Sequence, residues 1–313
     1  MLRIQKSTMN DDTVGIACDW GTSNLRVYRL GPNAKIIEKR DFSAGITAIK
    51  NKKFEDTFMN ATQDWLDEYP DIPITISGMA GSRQGWKEAP YLPCPTNVLT
   101  IANNLTPIRL RSGRIIWLTP GLSYTDSNGL PDVMRGEEVQ ILGALSNINS
   151  EKITICLPGS HSKWATVVGE DVTEFNTYIT GELFEVIKSH TIVGAMIDPN
   201  SWDEKAFIKG IEFSATTNNI LNQLFAVRAK GLFNQLTTAT AGAFLSGLLI
   251  GHELGAALAG ARFTKVYLIG HGQLTNFYNT ALLEKGFDPK ILAPDIIADG
   301  HFKLIEKIER NVS

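Results

Sequence analysis

Ile16-Ala17-Cys18-Asp19-Trp20-Gly21-Thr22-Ser23-Asn24-Leu25-Arg26-Val27-Tyr28-Arg29-Leu30 is the stretch on which the fold turns. It reads as an apolar strand ending in an acidic residue, a tight polar turn, and a second strand running back. Gly21 lets the backbone approach a ligand closely, and Thr22, Ser23 and Asn24 supply short donors, which is how a chain offers N–H and hydroxyl groups to phosphate. Asp19 stands where a hydrated Mg²⁺ would be held, since that ion takes one or two carboxylates together with phosphate oxygens. The same residues also fit an ordinary hairpin with a polar turn, so the choice falls to the rest of the chain.

Downstream, Lys35 to Phe42 reads as a third antiparallel strand entered through the turn Gly31-Pro32-Asn33. Phe54, Phe58, Ala61 and Trp65 follow at helical spacing and share one face. Ile72 to Ile76 is a short strand feeding the Gly-rich loop Ser77 to Ser82. Between Arg83 and Leu130 the pattern is irregular, with one clear strand at Ile115 to Leu118, and such a stretch is a candidate substrate wall. The segment Met134 to Gly143 opens a helix whose early glutamates suit the positive end of its dipole.

A polar boundary at Ser146 to Glu151 divides the chain into domains 1–148 and 149–313. Beyond it the opening plan recurs. Ile153 to Leu157 is a strand, Pro158-Gly159-Ser160-His161 a tight loop, Ser162 to Val168 the returning strand, Gly169 to Asp171 a turn and Val172 to Tyr178 the third strand. This is an internal repeat of topology, and two phosphate hairpins would close on one nucleotide from either side. Further on, a helix starts at Thr180, Ile220, Leu221, Leu224 and Val227 share a helix face, and an apolar helix covers Ala241 to Ala261. In that helix Gly247, Gly251 and Gly255 recur every four residues and make one flat face for close packing. The strand Lys265 to Ile269 then leads through Gly270-His271-Gly272-Gln273 into a helix from Leu274 to Lys285, a place that commonly receives a nucleotide.

No loop is a P-loop or carries the dinucleotide fingerprint. What fits is a nucleotide with its phosphates on the loops at Gly21 and Gly159 and its adenosine near Gly270, Gly272 and Gln273. Lys163 either neutralises phosphate charge or is a surface lysine, and His161 either touches the ligand or makes a backbone hydrogen bond.

With 313 residues, 43% hydrophobic and 20% charged, the chain has the size and composition of a two-domain globular protein. Its net charge of −3 and scattered Lys and Arg give no footprint for nucleic acid, so a small acidic substrate would need a local basic pocket. Cys18, Cys94 and Cys156 are far apart, which argues against a disulfide framework or a zinc site. Met1 to Asp12 lacks an apolar core, and His252 and Glu253 interrupt the long apolar segment, so a cytoplasmic protein without a membrane span is expected.

Seven blocks in order carry a family resemblance. They are Asp19 to Arg26, Gly78 to Ser82 with Gly85-Trp86, Ala89 to Leu92, Val133 to Glu138, Pro158 to Trp164, Thr180 to Leu183 and Phe244 to Gly251. Together the chain resembles the 2-dehydro-3-deoxygalactonokinase family from about Val14 to the last helix. The run Met134-Arg135-Gly136-Glu137-Glu138 makes the match specific, because sugar kinases at large lack it. The resemblance implies an α/β fold of two related actin-like ATPase (ribonuclease H-like) domains with a nucleotide cleft, using ATP and Mg²⁺. It implies transfer of the γ-phosphoryl group to the 6-hydroxyl of 2-dehydro-3-deoxy-D-galactonate in galactonate catabolism. The gluconate epimer, and a non-catalytic regulator of the same fold, are the alternatives, and a homodimer is left open. Ser160 replaces the expected threonine and keeps the hydroxyl.

Phosphoryl transfer is dominated by positioning and charge stabilisation. On the resemblance, Asp19 holds Mg²⁺ through water, and the phosphates lie on Gly21 to Asn24 and Gly159 to His161. The base is an acidic residue opening a helix, with Glu137 preferred over Glu138 and Asp132. The sugar-acid carboxylate calls for a guanidinium, Arg135 before Arg83 and Arg26, because arginine binds a carboxylate at two points. Gly81, Ser82 and Trp86 complete the expected substrate wall, with Tyr91 a further aromatic candidate.

Overall fold

The computed structural model describes residues 12–146, 148, 151–259 and 265–312, with side chains through residue 308. The expectation at Met1 to Asp12 lies outside the described residues except for Asp12, as do parts of the boundary at Ser146 to Glu151 and the end of the apolar segment at Gly260 and Ala261.

The chain packs as two compact units, the first comprising Met1–Asn149, Glu170–Thr173 and Pro294–Ser313, the second Ser150–Gly169 and Glu174–Ala293. In the first unit β1 (Gly15–Trp20), β2 (Leu25–Leu30) and β3 (Ile36–Phe42) form the antiparallel set expected from the opening stretch. The helix α1 (Phe54–Glu68) buries Phe58, Ala61 and Trp65 against this sheet's core, and its apolar spacing is the reason. Next, β4 (Ile74–Gly78) pairs parallel to β1. The stretch read as irregular carries β5 (Tyr91–Pro93), α2 (Val98–Asn103), β6 (Thr106–Arg109), β7 (Ile115–Leu118), β8 (Gly121–Thr125) and β9 (Pro131–Met134) before α3 (Glu137–Ala144). The large sheet has the order β3-β2-β1-β4-β7-β6, and β5-β8-β9 form a small separate sheet.

The second unit begins with β10 (Lys152–Leu157), β11 (Ser162–Val168) and β12 (Asp171–Tyr178, of which the part from Glu174 belongs to this unit), then α4 (Thr180–His190), α5 (Glu204–Ser214), α6 (Ile220–Leu232) and α7 (Thr238–Ala257). It closes with β13 (Lys265–Ile269), α8 (Gly272–Glu284) and β14 (Lys290–Leu292), giving the order β12-β11-β10-β13-β14. Both sheets thus have three antiparallel strands with a parallel strand on the far side of the first, and the repeated actin-like topology is present. The final helix, α9 (Ile297–Val312), packs with the first unit, although a break near residue 148 grouped it with the second half.

Glycines explain two helix pairings. A Cβ on Gly247 would overlap the Phe207 carbonyl of α5 and one on Gly251 the Ser214 side chain, so α5 lies directly on the flat face of α7. Gly255 meets nothing and takes no part. In the first unit a Cβ on Gly143 would overlap the Ile296 carbonyl and one on Gly300 the Val139 carbonyl, which locks α3 against α9. On α6 the expected single apolar face is only half used: Val227 is buried, Ile220 and Leu224 lie at the core's edge, and Leu221 is 78% exposed. Among the described residues no helix is long and apolar enough to cross a membrane, and α7 is instead buried over most of its length.

Candidate active site

In the first unit the turn between β1 and β2 is held from beneath. Gly45, Ile46 and Thr47 donate backbone hydrogen bonds to the carbonyls of Ser23, Gly21 and Thr22 at 2.9, 3.1 and 3.3 Å, while the side chains of Thr22, Ser23 and Asn24 are exposed. Gly45 is required there because any Cβ would overlap Thr22 and Ser23. Nothing in the opening stretch announces this support.

Asp19 sits at the end of β1 directly across from Arg26, and Arg26 Nη1 donates to Asp19 Oδ2 at 3.1 Å. Burial pushes the Asp19 carboxyl up, and the Arg26 guanidinium opposes that shift. Arg26 also donates from Nε to Asp41 at 3.2 Å, so it is committed to two carboxylates. The other oxygen of Asp19, Oδ1, faces Gly78, where a Cβ would stand 3.5 Å away. Gly78 has φ +84°, a conformation that favours glycine, and a Cβ there would also press on the Trp20 carbonyl.

Gly136, with φ +105°, comes against Gly78, where a Cβ would lie 3.1 Å from the Gly78 Cα. This contact brings the start of α3 to the end of β4, beside Asp19. Glu137 is half-buried and Oε2 accepts the Arg135 N–H at 3.0 Å. Glu138 is fully buried, takes the Gly136 N–H at 2.5 Å and the Thr119 hydroxyl at 3.3 Å, and has its pKa pushed up to about 8 by burial and then by Glu137. Adjacent residues therefore carry carboxyls of different character, one accessible and one held in the protonated form near neutrality. Asp132, on β9, accepts the Val133 N–H at 2.7 Å.

Arg135 is 8% exposed, its Nη2 donates to the Ala89 carbonyl at 2.8 Å, and its guanidinium lies 4.2 Å from the Tyr91 ring centroid. Its Nε and Nη1 are buried with no hydrogen-bond partner among the described residues, as is Ser82 Oγ. Gly81 lies against the same guanidinium, where a Cβ would stand 2.8 Å from Nη1. A buried cation with two idle donors is costly in isolation and suits an anion that completes it. Arg83 points away, its side chain 88% exposed and paired with Glu88 at 2.9 Å. Trp86 packs among Trp20, Phe54 and Phe58, so its ring belongs to the core of this unit.

The second unit has a cavity of about 570 Å³. Gly159, Ser160 and Gln273 line it, together with Gly242 and Ser246 of α7 and Trp202, which stacks on Phe277 at 3.9 Å between ring centroids. The α7 and Trp202 contributions carry no local sequence signal, and Gly247, Gly251 and Gly255, the glycines read mainly for close packing, are not among the lining residues. The turn Pro158 to His161 is covered by the start of α4: Glu182 N–H donates to the Ser160 carbonyl at 3.0 Å, and His161 Nε2 lies 2.5 Å from the Glu182 carboxylate. Lys163 is buried at the start of β11, opposite Leu157. Gly270 packs on Thr275, while Gly272, with φ +74°, begins α8 in open space.

A family model described as 2-keto-3-deoxy-galactonokinase matches residues 19–304. A protein of Rhizobium meliloti (strain 1021), named as a probable 2-dehydro-3-deoxygalactonokinase, is 38% identical over 89% of this chain and 92% of its own length. The 2-dehydro-3-deoxygalactonokinase of Escherichia coli (strain K12) is 36% identical over 90% of this chain and 93% of its own. A crystal structure of a protein assigned as a 2-dehydro-3-deoxygalactonokinase from Sinorhizobium meliloti superposes with a TM-score of 0.85 at 35% identity, covering 95% of this chain and 98% of that one.

Proposed function

Because the chain belongs to the 2-keto-3-deoxy-galactonokinase family, we propose that it transfers the γ-phosphoryl group of ATP to the 6-hydroxyl of 2-dehydro-3-deoxy-D-galactonate, giving the 6-phosphate and ADP in galactonate breakdown. The observation that carries the sugar-acid assignment is Arg135, a buried guanidinium with two idle donors beside Ser82 and Gly81. The substrate carboxylate would complete it by a two-point, charge-assisted pair. Tyr91 beneath the guanidinium holds its plane.

Glu137 takes the proton of the attacking hydroxyl. Glu138 has both oxygens engaged and is held protonated near neutral pH, and Asp132 is tied to its own strand, which leaves Glu137 as the accessible carboxylate at the start of α3. Asp19 would hold Mg²⁺ through Oδ1, directly or through water. The Asp19 side chain, 14% exposed at the end of β1, fits an ion bound by one carboxylate with phosphate oxygens and water. Mg²⁺ so held would offset charge on the phosphates. Within the first unit the turn Gly21 to Asn24 offers donors to phosphate. Within the second, Gly159 to His161 does the same, and the cavity between Trp202 and Gln273 receives the nucleoside. Arg26 orients Asp19 and does not reach for the substrate. The free thiols of Cys18, Cys94 and Cys156 support a cytoplasmic setting.

The test is a coupled ADP-release assay with the galactonate and gluconate epimers side by side. Release dependent on the galacto acid supports the proposal. Equal turnover of both epimers would replace it with a broader sugar-acid kinase, and no release with either would end it.

A further inference from the structure

One buried carboxylate in the second unit is unused by the reaction described above. Glu253 lies near the C-terminal end of α7, 3% exposed, next to His252 in a helix that is mostly apolar. Trp164 Nε1 donates to its Oε1 and the Tyr278 hydroxyl to its Oε2, each at 2.7 Å, and the Ser162 hydroxyl lies 2.7 Å from that of Tyr278. Burial pushes this carboxyl toward protonation, and the hydroxyls of Thr180 and, through Tyr278, Ser162 are among the groups that oppose it. Its acceptor sites are therefore taken up by side chains from β11, α4 and α8.

The location of two of those donors matters. Ser162 is the first residue of β11 and follows the turn Pro158 to His161 directly. Thr180 is the first residue of α4, and its neighbour Gly181 packs so closely on Gly159 and Ser160 that a Cβ would lie 2.9 Å from the Ser160 Cα. The turn is thus gripped where it leaves and where it is covered, both times by the same carboxylate. Tyr278 lines the cavity that Gly159 and Ser160 also line.

We propose that Glu253 is a positioning residue that fixes the shape of the Pro158 to His161 turn, and through it the affinity for ATP, without touching the nucleotide. This rests on the reading of that turn as a phosphate loop. A hydrogen bond to a buried charged group is strong enough that losing one permits the turn to drift, with an effect on the order of tenfold on binding.

The test compares Ser162→Ala, Glu253→Gln and Ser160→Ala for the KM of ATP, the KM of the sugar acid, kcat at saturating ATP, and melting temperature. Ser162→Ala and Glu253→Gln should raise the KM of ATP roughly tenfold, with kcat and the sugar-acid KM within about twofold of wild type. A merely structural role would lower the melting temperature and leave the ratio of the two KM values alone, and that result would overturn the proposal. Should Glu253→Gln fail to fold, Ser162→Ala decides alone. If Ser160→Ala raises the KM of ATP and Ser162→Ala does not, the positioning role is refuted while the phosphate-loop reading stands. If Ser160→Ala changes nothing, the loop reading fails and takes the proposal with it.

Discussion

Replacing Arg135 by lysine keeps the charge and removes the two-point geometry. In the wild type one Nη2 hydrogen goes to the Ala89 carbonyl at 2.8 Å, and the second Nη2 hydrogen with Nε or Nη1 is the edge left for a carboxylate. A lysine that satisfies Ala89 presents at most one comparable bond to the substrate. Hydrogen bonds to charged groups contribute about 1.5–3 kcal/mol each, so losing one predicts a rise of roughly 10- to 150-fold in the KM of the sugar acid. The KM of ATP should stay within about twofold, because the substitution leaves the phosphate turns unaltered. Thermal unfolding with and without sugar acid gives a second reading. At a concentration of about 100 times the wild-type Kd, ligand stabilises by about 2.7 kcal/mol; a 30-fold weaker variant would retain only about 0.9 kcal/mol. A folded Arg135→Lys protein with an unchanged sugar-acid KM and an undiminished ligand-induced shift would refute the reasoning.

Three further outcomes follow from named contacts. Glu137→Gln should lower kcat by about 10²–10⁴-fold while ATP still binds, measured by single-turnover assay and calorimetry; near-normal turnover would move the proton acceptor elsewhere. Gly247→Ala should destabilise by about 1–3 kcal/mol in denaturant titration because its Cβ overlaps the Phe207 carbonyl, whereas Gly255→Ala, which meets nothing, should stabilise by up to about 1 kcal/mol. Glu138, raised from 4.5 to about 8 in the folded state, binds its proton more tightly there than when unfolded, so its contribution is fully present below about pH 4.5 and is lost as pH rises through about 8. Unfolding titrations of Glu138→Gln at pH 5 and pH 8 should therefore show the variant gaining relative to wild type at the higher pH, and a pH-independent difference would disprove the shift.

The hairpins and their repeat were legible because alternating apolar residues and Gly-centred turns are local signals, and both sheets follow them. So was α1, whose apolar spacing has one solution. The region after Arg83 was not legible, because β5, β6, β8 and β9 are three to five residues long, too short for a local period to mark them. In the site, Arg135 and Glu137 could be singled out by residue type, but the difference between Glu137 and Glu138 is one of burial, which adjacent positions in a sequence do not reveal. Trp86 was a candidate for the substrate wall although a buried aromatic in a loop is more often core, and packing against Phe54 and Trp20 decides for the core. Lys163 proved buried where a surface lysine was the alternative. Trp202 escaped notice because its partner Phe277 lies far along the chain.

The last helix bears on how the protein is made. His301 of α9 is buried between Thr75 and Ser77, 2.7 and 3.0 Å from their hydroxyls, and Gly300 seats the helix on α3. The first unit, translated first, thus waits for residues beyond Pro294 to finish its core, while the second unit is synthesised in between. At 5–20 residues per second the wait is roughly seven to thirty seconds on the ribosome, during which the nascent α3 has no α9 to cover it. The second unit is therefore free to fold to completion before the first, reversing the order in which their residues emerge.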